Sequence, residues 1–195
     1  SVLSMKAGET LVESLNYTIG TVEQLADLGF SVIPRAESDP IVIRYDYRNF
    51  AAAASQSELC PANAAIDGNP GSSYCSYPQG SSMNLSSDLS VWFANGSAAR
   101  PINLVYLQSR MYNGRPVAFP RRYDIYLTAS DNSSWVRAGT FDVQPNPEGL
   151  ATVRLPLSYW TQGIRIVPYE LTQDEFGNNV FHLSELALGH ETSVH

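Results

Sequence analysis

The sequence predicts an all-β protein, an antiparallel sandwich or barrel built from seven or more short strands. Three observations lead to this prediction. From Asn49 onward apolar residues recur at every second position, the apolar runs are short, and loops rich in Gly, Pro, Asn and Ser join them. A parallel α/β fold would need helices between its strands, and no helical pattern follows residue 49.

Residues 1–48 differ from the rest and are predicted to form a small mixed α/β extension or brace. Thr21 begins a capping-box spacing and Gly29 stands where a helix would end, so we expect a short helix at about 22–28. Apolar and β-branched runs predict two strands after this helix, at about 30–33 and 41–47.

The main unit is predicted to occupy residues 49–189, with 190–195 as a frayed tail. His190 and His195 are five residues apart, which places them off a common helical face and argues against a zinc site. The strand runs of the main unit are 89–93, 102–106, 123–127, 135–141, 151–155, 163–167 and 180–188.

Composition limits the classes of function that the chain can have. Of its 195 residues, 44% are hydrophobic and 16% are charged, which is typical of a folded protein. The net charge of −7 argues against nucleic acid and anionic membranes as partners, and the apolar runs are too short for membrane insertion. Content rich in Ser, Asn, Tyr and Gly favours a secreted or cell-surface module. Glycosylation sequons begin at Asn16, Asn84, Asn95 and Asn132.

Cys60 and Cys75 are the only cysteines, and they bracket one loop. They are close enough in sequence to form a disulfide across it, which the secreted composition favours. Two reduced cysteines, one of them buried, are the alternative.

That loop, residues 63–76, combines Asp67, Asn69 and Ser72 with the turn residues Gly68 and Pro70. Such a Gly-punctuated loop can direct several oxygens at one point, as a Ca²⁺ ion requires. The simpler interpretation is an Asx-type surface turn, because Asp-Gly and Asn-Pro are ordinary turn dipeptides.

No catalytic constellation is evident, so we predict that the chain is not an enzyme. It contains no Gly-x-Ser-x-Gly elbow, no phosphate-binding Gly loop and no Cys-x-x-Cys pair. His182 lies in a predicted strand without an identifiable nucleophile beside it and is interpreted as a structural histidine. Asp174 and Glu175 are interpreted as solvated residues of a loop.

Two loops carry side chains suited to sugar binding. Arg110, Tyr112, Asn113 and Arg115 combine forked donors, an aromatic face and an amide, a set that can hydrogen-bond hydroxyl pairs and cover the C–H face of a pyranose. A simple hairpin turn at Asn-Gly is the alternative. Phe176, in the loop 168–179, is either a contact residue or a loop anchor.

Five motifs in order resemble the discoidin, or coagulation factor V/VIII type C, domains and, within this galactose-binding-like group, the family-32 carbohydrate-binding modules. The likeness covers about residues 48–189. Its motifs are Asn49-Phe50-Ala51, the segment Ala65 to Tyr74, Tyr106 to Arg110 followed by Asn113-Gly114-Arg115, Tyr123 to Leu127 with the turn at Asp131 to Trp135, and Ser184 to Gly189.

The resemblance implies an eight-stranded jelly roll with a structural Ca²⁺ ion near the 63–76 loop. Glu185, a carboxylate among leucines, would lose its burial penalty beside a cation. Carried over by position, the ligands would be the Ala64 carbonyl, Asp67, Asn69, Ser72 and Glu185.

The resemblance also implies a sugar site in the loops at one end. Galactose-binding members have a Trp followed by a contacting His, where this chain has Tyr74 and Cys75, so the glycan need not be of the galactose type. We therefore predict a non-catalytic, lectin-like module that binds glycan, or alternatively a protein-binding, adhesion or scaffold module of a larger extracellular protein. The predicted binding residues are Tyr74, Ser76, Tyr77, Arg110, Tyr112, Asn113, Arg115 and Phe176.

Overall fold

The structure is a computed structural model, and it describes residues 41–55, 60–79, 88–94, 99–128 and 134–192. Within these ranges two 3-10 turns, Tyr47–Asn49 and Ala62–Ala65, accompany the strands. The strands are β1 (Ile41–Arg44), β2 (Phe50–Ala54), β3 (Tyr74–Cys75), β4 (Leu89–Phe93), β5 (Arg100–Gln108), β6 (Arg110–Tyr112), β7 (Arg115–Val117), β8 (Arg122–Thr128), β9 (Trp135–Phe141), β10 (Leu150–Thr161), β11 (Gly163–Glu170), β12 (Thr172–Gln173), β13 (Asn179–Val180), β14 (His182–Leu183) and β15 (Glu185–Thr192).

Two antiparallel sheets make up the body of the fold, which confirms the predicted all-β sandwich. In the described chain, one sheet has the order β1-β15-β5-β10 and the other the order β2-β4-β11-β8-β9. The two-residue period predicted the inward faces correctly, because Leu89, Val91 and Phe93 are all buried in one core with Ile102 and Ile125.

The chain divides into two compact units, one containing Ser1–Ile43 with Glu191–His195 and the other Arg44–His190. The strand expected at about 41–47 is shorter than predicted and ends at Arg44, because the chain then turns into the 3-10 turn. At the other end, β15 continues through Glu191 to Thr192, where a frayed tail was expected. The predicted helix at 22–28, the predicted strand at 30–33, the four sequon asparagines and His195 lie outside the described residues.

A buried ion pair stabilises the outer part of the second sheet. Asp124 alternates with Tyr123 and Ile125 along β8 and so lies on the opposite face of the strand, yet it is fully buried. Arg137 donates to it from β9 over 2.8 Å, while Thr140 and the Tyr169 hydroxyl also donate to its carboxylate. Burial works to raise the pKa of Asp124, but these hydrogen bonds outweigh it and hold the pKa below its ordinary value.

The small strand pairs form one end of the sandwich. This end contains hairpin β6–β7, hairpin β12–β13 and the strand pair β3–β14, which are connected along the chain to strands of the two main sheets. Backbone hydrogen bonds join them: Ala118 N–H donates to Gln173 O, His182 N–H to Ala118 O, and Ser184 N–H to Gln108 O at the end of β5. We call this region the loop end.

Candidate functional site

A two-point ion pair ties the two hairpins of the loop end together. The guanidinium nitrogens of Arg110 each donate to one carboxylate oxygen of Glu175, over 2.5 Å in both cases. These hydrogen bonds lower the pKa of Glu175 to about 2, so its carboxylate is charged at neutral pH. Glu175 was interpreted from sequence as a solvated loop residue, but its side chain is only 9% exposed because Arg110 covers it.

The hairpin turn at Asn113-Gly114, which was the alternative interpretation of this segment, is present and shapes the first hairpin. Both residues have positive φ, 49° and 73°, and Tyr112 is the cross-strand partner of Arg115. This combination is the two-residue turn that Asn-Gly favours. The turn leaves the side chains of Tyr112, Asn113 and Arg115 exposed beyond the Arg110 guanidinium.

Two aromatic side chains flank the ion pair and face solvent. Phe176 follows Glu175 at the tip of β12–β13 and is 80% exposed, so it does not anchor its loop. Tyr112 is 43% exposed, and the Arg110 guanidinium carbon lies 5.9 Å from the centre of its ring. Exposed rings of this size beside fixed polar groups are typical of ligand-binding surfaces.

Tyr74 and Ser76 were predicted to bind ligand, and this prediction is wrong because both residues are buried. Tyr74 is 0% exposed because its ring packs edge-on against Phe181 in the core. Ser76 is 1% exposed, and its hydroxyl accepts the Phe181 N–H and donates to the Tyr77 carbonyl. Neither side chain can contact a ligand, whereas Tyr77 remains partly exposed.

The disulfide between Cys60 and Cys75 is confirmed. The two Cα atoms are 4.9 Å apart, and the residues also form an isolated antiparallel bridge. Cys75 is buried by this bond, so it cannot act as a hydrogen-bonding residue for a ligand.

His182 belongs to the loop end, although the sequence pattern indicated only a structural role. It is the cross-strand partner of Cys75, and its ring Nδ1 lies 3.4 Å from the Ser73 hydroxyl. Arg110 and Glu175 are among the charged groups that act on its pKa. No local pattern could reveal this position, because it depends on the pairing of segments more than a hundred residues apart.

The loop of residues 63–76 is built from Asx turns, as its simpler interpretation predicted. Asp67 Oδ1 accepts the Asn69 N–H over 2.8 Å, and Asn69 Oδ1 accepts the Gly71 N–H over 3.0 Å. The Ser72 hydroxyl donates to Asp67 Oδ2 over 2.6 Å. Gly68 is required at its position, since its φ is +74° and a Cβ would lie 2.4 Å from the Tyr47 ring.

Glu185 lies against this loop in an environment that disfavours its charge. Its Oε1 is the one buried side-chain oxygen or nitrogen without a hydrogen-bond partner among the described residues. Burial, followed by the neighbouring Asp67 carboxylate, raises the pKa of Glu185 to about 7. The pKa of Asp67 is lowered, because hydrogen bonds from Ser72 and Asn69 outweigh the effect of burial.

These oxygens fit a hard cation. The carboxylates of Asp67 and Glu185 lie close together, and the Ser72 hydroxyl contacts both Asp67 and the Asn69 carbonyl; these are ligand types that Ca²⁺ takes. Among the described residues, no three or more His, Cys, Asp and Glu side chains are placed together to hold a metal ion, so neutral oxygens such as those of Ala64, Asn69 and Ser72 would have to complete the coordination.

An open groove of about 610 Å³ lies beside Glu185 and is separate from the aromatic rings of the loop end. Tyr45, Tyr47 and Tyr106 line it, and Arg110, Tyr112, Phe176 and His182 do not. Tyr74 is fully buried, so it cannot line a surface pocket together with Arg110 and Phe176.

Comparison with known proteins identifies the fold by structure rather than by sequence. No protein-family model matches the sequence, and no curated protein matches it either. The structure is similar to that of the family 32 carbohydrate-binding module of Clostridium perfringens NanJ in complex with galactose. That match has a TM-score of 0.60 and 21% identity, over 77% of this chain and 100% of the other.

Two further structures extend this result. A family 32 module of a Clostridium perfringens protein, in complex with GalNAc-β-1,3-galactose, matches with a TM-score of 0.58 and 14% identity over 75% of this chain and 99% of its own. An F5/8 type C domain from Bacteroides fragilis matches with a TM-score of 0.58 and 11% identity over 77% of this chain and 97% of its own.

The chain thus has the discoidin-like β-sandwich fold. More particularly, it has the fold shared by family 32 carbohydrate-binding modules and F5/8 type C domains, as the sequence motifs predicted. At identities of 21% and below, the likeness establishes the fold alone. Among the described residues, no helix has the length and apolar character needed to span a bilayer.

Proposed function

We propose that the chain is a carbohydrate-binding module that recognises glycans at the loop end. One observation carries this proposal: exposed Phe176 and Tyr112 flank the Arg110–Glu175 pair, whose two side chains hold each other in place. An aromatic ring can cover the apolar face of a pyranose while fixed donors and acceptors take its hydroxyls. The structural likeness to modules that were solved with galactose-containing ligands supports it.

Glycan-array screening followed by calorimetry tests this function. We expect the wild-type protein to bind at least one glycan, and Phe176→Ala or Tyr112→Ala to weaken that binding tenfold or more. Trp160→Ala is the matched control, because Trp160 is also exposed (72%) but is the cross-strand partner of Pro101, near the other end of β5. At a rise of ~3.3 Å per residue, it lies roughly 20–25 Å from the loop end.

Absence of glycan binding would remove the function itself. Binding that is unaffected by Phe176→Ala and Tyr112→Ala but is lost with Trp160→Ala would move the site to the opposite end. A non-catalytic role follows from the same proposal, and the protein should leave the bound glycan unchanged on prolonged incubation.

We also propose a structural Ca²⁺ ion held by Asp67, Glu185 and neutral oxygens of Ala64, Asn69 and Ser72. The unpartnered Glu185 Oε1 supports this site, since a cation would satisfy it. The ion would supply positive charge to two close carboxylates and fix the loop that precedes β3. Elemental analysis of protein dialysed against Ca²⁺ should find one ion per chain, and Glu185→Gln should abolish it.

A second candidate function, protein binding within a larger extracellular protein, is favoured by exposed apolar residues on β10. Leu157 and Trp160 are 64% and 72% exposed there. The disulfide supports an extracellular or cell-surface location, since such bonds persist in oxidising compartments. Analytical ultracentrifugation of the wild type and of Leu157→Ser/Trp160→Ser over a concentration series should show association only for the wild type if this surface is used.

A further inference from the structure

His182 presents one ring nitrogen to solvent at the loop end. Its Nδ1 faces the Ser73 hydroxyl at 3.4 Å, and its backbone N–H is held by the Ala118 carbonyl at 3.0 Å. Within the described residues Nε2 has no hydrogen-bond partner, yet it is not among the buried unpartnered atoms. Because the residue is partly buried, the ring is fixed in place while Nε2 remains in contact with water.

The charged groups that act on His182 are Arg110, Asp174 and Glu175. Arg110 is engaged at both terminal nitrogens by Glu175, so its positive charge is compensated. Asp174, whose Oδ1 accepts the N–H groups of Phe176 and Asn178, adds a second carboxylate. These three groups sum to one negative charge, so they do not attract a carboxylate ligand.

We infer that His182 is a ligand-contacting, specificity-determining residue of the loop end, and that this face takes the hydroxyl groups of uncharged sugars rather than sugar carboxylates. The inference rests on the proposed function and adds the ligand class and one residue to it. A neutral imidazole donates at one ring nitrogen and accepts at the other. Nε2 accepts if Nδ1 donates to the Ser73 hydroxyl, and it donates if Nδ1 accepts from that hydroxyl. A sugar hydroxyl can pair with Nε2 in either case.

The protonation state agrees with this role. Burial, and next the Arg110 charge, lower the pKa of His182, while Asp174 and Glu175 act in the opposite direction. The net effect is a pKa below the ordinary histidine value, which keeps the imidazole neutral at physiological pH. A neutral ring adds no attraction for an anionic sugar.

Calorimetry with matched sugar pairs tests the inference. The probes are the methyl glycosides of galactose and glucose, each beside its uronate, which differs only in a carboxylate at C6. We expect the wild type to bind a neutral member at least tenfold more tightly than its uronate. His182→Ala should lose at least tenfold, His182→Gln should recover part of this loss, and the control His190→Gln should be unchanged, because His190 bonds Ser158 on the opposite part of the sheet.

Glu175→Gln provides an independent variant. It keeps the size of the side chain but leaves the Arg110 charge uncompensated, so affinity for the uronate should rise toward that for the neutral sugar. NMR of the imidazole nitrogens in the wild-type protein should show a shift of His182 Nε2 on saturation with the neutral sugar, a readout that does not depend on a variant folding.

The outcomes are distinguishable. If the wild type binds neither the neutral glycosides nor the uronates, the proposed function fails and this inference fails with it. If sugars bind but the uronate is preferred, or if His182→Ala binds as the wild type does and its Nε2 signal is unmoved, the inference is overturned while the proposed function stands.

Discussion

Arg110 and Glu175 lie 65 residues apart in sequence, yet their side chains meet in a two-point ion pair that joins hairpin β6–β7 to hairpin β12–β13. Neither hairpin has a core of its own, since each consists of strands of only two or three residues. The pair therefore sets the relative position of Tyr112 and Phe176, the two exposed rings that the proposed function uses.

The Arg110–Glu175 pair should make stability depend on pH in the acidic range. The pKa of Glu175 is lowered from 4.5 to about 2, so its stabilising effect is fully present above pH 4.5 and is lost as the pH falls toward 2. We expect Glu175→Gln to melt a few degrees below the wild type at pH 7, and the two proteins to converge near pH 2. A difference that stays constant across these melts would contradict the assignment.

If the proposed Ca²⁺ ion is bound, its removal should expose the opposite pH dependence at Glu185. The pKa of Glu185 is raised from 4.5 to about 7, so the folded state favours the protonated carboxyl. The resulting contribution to stability is fully present below pH 4.5 and is lost as the pH rises through 7. In chelator, the melting temperature should fall between pH 5 and pH 8, and millimolar Ca²⁺ should restore it. Glu185→Gln should show neither effect, and a wild type indifferent to Ca²⁺ would rule out the site.

Loss of the disulfide should destabilise the fold without changing its architecture. Cys60 and Cys75 close a loop over a sequence separation of 15, and closure of such a loop is worth ~3 kcal/mol in the chain-entropy model. For a domain of this size that corresponds to about 6–12 °C in melting temperature. The double variant Cys60→Ser/Cys75→Ser should show this shift in thermal melts, with an unchanged circular dichroism spectrum at 20 °C. A melting point equal to that of the wild type would show that the loop is held by other contacts.

The buried carboxylate of Asp124 should be essential to the second sheet. Asp124→Asn removes the charge that Arg137 neutralises, and we expect the free energy of unfolding to fall by roughly 2–3 kcal/mol. This is below the range for fully buried ion pairs, because the Arg137 side chain is half exposed. Asp142→Asn is the matched control, as Asp142 is exposed on the segment after β9. Urea denaturation of both variants measures the difference, and equal midpoints would show that the ion pair contributes little.

Residue patterns predicted the strands well where one face is buried. The alternation at Leu89, Val91 and Phe93 placed β4 correctly, because a period of two directly reflects which side chains face the core. Asp124 shows the limit of the method. The alternation places it on the face opposite Tyr123 and Ile125, but Arg137 and Tyr169, from two other strands, cover it.

The candidate site was only partly predictable for the same reason. The turn at Asn113 follows from local sequence, and the structure has it. The exposure of Phe176 was one of two alternatives that the sequence left open, and the structure decides between them. The burial of Tyr74 does not follow from local sequence, since it depends on the distant Phe181. The role of His182 likewise depends on its pairing with β3.

By itself, the sequence determined the strand periodicity, the Asx turns, the Asn-Gly hairpin and the cysteine pair, because these features arise from side chains close together along the chain. Only the tertiary structure decided which of the predicted binding residues reach solvent, which carboxylate Arg110 meets and where His182 lies. Those relationships join segments that are 65 to more than 100 residues apart, and packing of the two sheets is what brings them together.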